Sequence, residues 1–135
     1  MNKFKIILCL FFWMIPAVAL AADQDKSSEI LCSVINVKEC DSFGTCLQSS
    51  AEEINIPQFI KIDLMAKTMT DGSVKQPARK SVIRTMVREN GEIIMQGSEN
   101  GRGYTMIVDE MTGDFSAAIS EDSFGFIIFG SCLAL

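Results

Sequence analysis

The sequence predicts an all-β domain: a small antiparallel meander closed, or nearly closed, into a β-barrel, with a β-sandwich as the alternative. Three observations predict it. About seven short segments alternate apolar and polar residues or run apolar throughout. Turn signals such as Asp71-Gly72, Asn90-Gly91 and Thr112-Gly113 separate them. The connections are too short for the crossover helices that parallel strands require. A sheet with one apolar face buries it by curling onto itself or by stacking.

The elements follow in order. Residues 30–38 are rich in β-branched and apolar side chains, although the two faces are hard to separate. Residues 41–45 form a plausible turn, with Gly44 free to take a positive φ. Ser49-x-x-Glu52 and Ser50-x-x-Glu53 are capping-box patterns, but Pro57 limits any helix there to one turn. In residues 59–68, Ile60, Ile62 and Leu64 point one way and Lys61, Asp63 and Lys67 the other. Residues 72–80, with Pro77, read as an exposed loop. In 81–88, Ile83 and Val87 are expected inside and Arg84 and Arg88 outside. Residues 93–96 precede a glycine-rich turn at Glu99-Asn100-Gly101-Arg102-Gly103. Tyr104, Met106 and Val108 share the next inner face, and Phe115, Ala117 and Ile119 the one after. Residues 124–129 are apolar on both faces, which predicts a strand covered on both sides.

The N-terminal segment is expected to lie outside this fold. Lys3 and Lys5 precede an unbroken apolar run at 6–15, Pro16 ends it, and Ala19-Leu20-Ala21 fits a signal-peptidase site. This predicts a signal peptide over 1–21 that is cleaved, a flexible leader over 22–29 and a single β domain over 30–135. The other reading, a membrane anchor, would rest on an uncharged stretch at 6–22 without stop-transfer charges. Cleavage leaves no stable membrane insertion and a periplasmic or secreted protein.

Four cysteines then remain, Cys32, Cys40, Cys46 and Cys132, an even number in an exported chain. Three pairings are possible. Cys40–Cys46 across the Gly44 turn is favoured, which leaves Cys32–Cys132 to join the first strand to the last. The spacings do not suit zinc, which favours close cysteine pairs and histidine.

The chain has no histidine, which excludes Ser-His-Asp and Cys-His arrangements. The adjacent acids Asp109-Glu110 and Glu121-Asp122 sit beside turns and point to opposite faces of a strand. No catalytic set, metal site or cofactor is therefore expected. Loss of Lys3 and Lys5 takes the formal charge from −5 to −7. That balance argues against nucleic acid, which needs a basic face. It permits attraction to a basic partner.

Three surface features remain as candidates. The loop bearing Glu99, Asn100, Arg102 and Tyr104 has the makings of an interaction tip, unless Arg102 pairs locally with Glu99. Lys75, Arg79, Lys80, Arg84 and Arg88 form a basic cluster on an acidic chain. Met65, Met69 and Met86 fall on the outward face and could make an adaptable contact patch.

Glu99-Asn100-Gly101-Arg102-Gly103-Tyr104, Thr112-Gly113 and Phe129-Gly130-Ser131-Cys132 resemble small uncharacterised exported proteins of Gram-negative bacteria. The resemblance covers most of the chain after residue 21 and implies export without implying an activity. Gly101-Arg102-Gly103-Tyr104 is also faintly similar to the glycine-rich, Arg-Tyr-containing segment of the membrane-bound inhibitors of C-type lysozyme, which are small disulfide-bonded β-barrels. That likeness implies a loop, Glu99 to Tyr104, that enters the cleft of a basic cell-wall hydrolase. The expectation is a binding protein rather than an enzyme. Its partner, unknown from sequence, is a protein such as such a hydrolase, or a small apolar ligand carried inside the barrel.

Overall fold

A computed structural model describes residues 28–75 and 79–134. The segment read as a signal peptide, most of the leader and Pro77 lie outside the described residues. Nine antiparallel strands form one sheet: β1 (Glu29–Asp41), β2 (Cys46–Ser49), β3 (Phe59–Asp63), β4 (Thr68–Asp71), β5 (Lys80–Glu89), β6 (Glu92–Glu99), β7 (Arg102–Asp109), β8 (Asp114–Ser120) and β9 (Phe124–Ala134). The order is β2-β1-β3-β4-β5-β6-β7-β8-β9, and β1 also pairs with β9. Eight strands thus close into a barrel, with β2 added as a flap.

Closure depends on the length of β1. Its first half pairs with β3, from Glu29 opposite Asp63 to Ser33 opposite Phe59. Its second half pairs with β2, from Val37 opposite Ser49 to Cys40 opposite Cys46. On its other side β1 pairs with β9 along almost its whole length. The disulfides Cys32–Cys132 and Cys40–Cys46 both join directly opposed residues, one across the barrel seam and one across the flap. Cys32 and Cys132 are buried, so the seam bridge is part of the core.

A bulge between Val34 and Asn36 explains why the faces of the first strand resist separation by sequence. The extra residue, Ile35, is pushed out and is 72% exposed, while Val34 and Val37 both face the core. A second bulge, between Ile83 and Thr85, corrects the expected face of β5. Past it, Met86 turns inward opposite Met95, and Val87, expected inside, is 45% exposed. Met69 likewise packs against the core, so of the three methionines expected outside only Met65 is exposed.

Further corrections concern boundaries. The segment 59–68 is two strands, because the chain turns through residues 64–67 with Lys67 in the left-handed region at φ 52°. Asp63 Oδ1 accepts the Ala66 N–H at 2.7 Å and replaces the glycine signal that the sequence lacks there. Strand β2 was not expected at all. Strand β1 begins at Glu29, and the Leu64 N–H already donates to the Ser28 carbonyl, so the end of the expected leader belongs to the fold. The outer face of β9 is not covered among the described residues: Phe129 is 48% exposed and Leu133 72%.

Two hairpin turns follow their sequence signals. Asn90-Gly91 and Asn100-Gly101 each place two consecutive residues at positive φ, the requirement of a type I′ turn that matches strand twist. Directly opposed residues share a face, so the register wraps a row of inward side chains around the wall. Met86, Met95, Met106, Ala117, Ile128 and Val37 succeed one another in that row.

Candidate functional site

The inward face is not filled evenly. Ile30, Ile62, Ile83, Ile93, Met95 and Val108 are buried in one core cluster with the seam cysteines. Two inward positions, Ala117 and Gly97, are small. A cavity of about 360 Å³ opens at one end of the barrel, beside Ala117. Its apolar wall is formed by Ile60, Met69, Met106, Phe115, Ala117, Ile119 and Ile128. Eight strands enclose just enough room for one small ligand where side chains do not fill it.

The segment between β2 and β3 crosses this end. Ser50 and Glu53 exchange the capping-box bonds, Ser50 N–H to Glu53 Oε2 at 2.8 Å and Glu53 N–H to Ser50 Oγ at 3.2 Å, without a helix forming. These bonds, and that of the Ser49 hydroxyl, hold the Glu53 carboxyl below its usual range. The turns bury Ala51 and Ile54, and Asn55, at φ 56°, turns the chain so that Ile56 and Pro57 line the cavity. Val34, beside the bulge, exchanges hydrogen bonds with the backbone and side chain of Gln58, which returns the chain to β3.

Polar groups collect at the rim. Glu99 accepts from Arg79 and from the Ser81 hydroxyl. Arg102 pairs through Nε with Glu121, donates from Nη1 to the Ile54 carbonyl at 2.6 Å and lies over the Phe126 ring at 5.5 Å. Its side chain is only 24% exposed. The Tyr104 ring covers Gly97, where an added Cβ would meet the hydroxyl at 2.5 Å. That hydroxyl donates to the Val82 carbonyl at 3.3 Å. Burial pushes the Tyr104 phenol above its ordinary 10.0; Glu99 adds to the shift and Arg84 opposes it. Asp71 also lines the cavity, and hydrogen bonds from Ser73 hold its carboxyl below the usual range.

The structure therefore turns the expected interaction tip inside out. Glu99, Arg102 and Tyr104 line the cavity, and of the four residues only Asn100 stands at the exposed turn. Arg102 and Glu99 are opposite one another in register, yet Arg102 pairs with Glu121 and not with Glu99. The basic cluster disperses: Arg79 is at the rim, and Arg88 pairs with Glu110 at 3.7 Å. Sequence reasoning missed Ile54–Pro57 and Glu121 as parts of the site. The apolar Ile54 and Ile56 between polar neighbours were the available signal.

Beside the flap, Glu39, Asp41 and Glu53 line a second, more polar hollow with Leu47 and Phe124. Among the described residues no group of three or more Cys, Asp or Glu side chains is placed to hold a metal ion, and no helix is long and apolar enough to cross a membrane. No protein-family model, curated protein or solved structure matches this chain.

Proposed function

We propose that this chain is an exported, non-catalytic binding protein that takes one small, mainly apolar ligand into the mouth of its barrel. The cavity carries this reading. An apolar hollow of about 360 Å³ with a few convergent polar groups at one end has the size and chemistry of a small-molecule site. Roughly a dozen non-hydrogen atoms fit such a space at one water volume, about 30 Å³, per atom. Two disulfides are compatible with an oxidising compartment outside the cytoplasm and support the export part of the reading.

Native mass spectrometry of protein recovered from the periplasm tests the proposal. The expected result is a non-covalent adduct of small mass that disappears in Ala117→Phe, whose added ring occupies the hollow. Recovery of bare protein alone, from cells and after incubation with apolar extracts, would refute it.

A further inference from the structure

We infer that the ligand is uncharged and ends in a hydrogen-bond acceptor of the carbonyl type, received by the Arg102 guanidinium. The inference rests on the cavity being the binding site and adds the chemistry of its occupant.

Arg102 has five N–H donors. One serves Glu121 and one serves the Ile54 carbonyl, and the remaining three have no acceptor among the described residues. Those donors border an apolar cavity on a side chain that is three-quarters buried. Donors in such a place favour an acceptor, and a ligand without one forfeits the hydrogen bond. This disfavours a plain alkane. It also disfavours an ammonium, which has only donors and cannot accept from the guanidinium.

An anion fails for a different reason. The positive charges lining the mouth are already matched, Arg79 by Glu99 and Arg102 by Glu121. Asp71 adds a carboxylate to the lining that has no cationic partner among the described residues. Arg84 acts on the Tyr104 hydroxyl but does not line the cavity. A carboxylate head would therefore leave water for a site whose charge is balanced or negative, with no surplus cation to compensate it. A neutral carbonyl takes the free donors at no such cost.

The test uses methyl-labelled methionine in the intact protein, read by NMR at neutral pH. Met69 and Met106 line the cavity; Met65 and Met111 are 81% and 91% exposed and serve as internal controls. The probes share one chain length and differ in the head: octan-2-one, octanoate and octylamine. Octan-2-one is expected to shift Met69 and Met106 saturably and leave Met65 and Met111 unmoved. It should bind at least about ten-fold more tightly than either charged homologue. In Glu121→Gln, which frees the charge of Arg102, octanoate should gain about five-fold or more over its affinity for the natural protein. Octanoate or octylamine binding as tightly as the ketone, or no gain in Glu121→Gln, would overturn the inference and leave the cavity reading standing. No shift of Met69 or Met106 with any probe would overturn the cavity reading itself.

Discussion

Tyr104 is the only tyrosine in the chain, and it reports on the mouth without a label. Its folded pKa lies above its ordinary value because burial and Glu99 disfavour the phenolate. The sign follows from linkage. The neutral form is favoured in the fold, so this contribution to stability is complete below pH 10.0 and is lost as pH rises through the higher folded value. A tyrosinate absorbance titration should give a midpoint above 10.0 in the native protein and a return to that value in denaturant. Gly130 makes a second claim at this scale. A Cβ there would meet the Ser33 carbonyl and the Phe115 ring, because Phe115 lies across the glycine to fill the core. Since a backbone oxygen cannot swing aside, Gly130→Ala should destabilise the protein by about 3 kcal/mol, read as a fall in the urea midpoint.

At the scale of elements, the two disulfides differ in what they close. Cys32–Cys132 spans 100 residues and Cys40–Cys46 spans 6. Loop-closure entropy assigns about 4–5 kcal/mol to the first and about 2 kcal/mol to the second. The double replacement Cys32→Ala/Cys132→Ala should therefore cost more than Cys40→Ala/Cys46→Ala by at least about 2 kcal/mol, with extra loss from the buried sulfurs. Equal urea midpoints for the two variants would contradict the seam role. The same scale shows what the sequence could and could not reveal. Alternation was legible in β7 and β8, where Tyr104 to Val108 and Phe115 to Ile119 keep an unbroken period of two. It failed in β1 and β5, where one extra residue, Ile35 or Arg84, reverses the faces beyond it. Nothing local marks such a bulge, since its cause lies in the partner strand and in the curvature of the barrel. The turn at 64–67 was illegible because Lys67, not glycine, takes the positive φ. The site was hidden for a related reason. Arg102 finds Glu121 at the end of the β7–β8 pairing, and it finds the Ile54 carbonyl only because the segment after β2 crosses that end of the barrel.

At the scale of the whole molecule, the closed wall encloses the hollow on which the proposed function rests. The seam disulfide lies in the buried core, and beside Ala117 the inward side chains leave a hollow walled by Ile60, Met69, Met106 and Ile128. The segment through Ile54, tethered by Arg102, forms the rim of the hollow. The most direct test is crystallographic, with crystals held under xenon gas, which enters apolar cavities of this kind. The account predicts xenon density beside Met106, Ala117 and Ile128, present in the natural protein and lost in Ala117→Phe. A barrel whose interior is filled by its own side chains, with no xenon bound there, would contradict it.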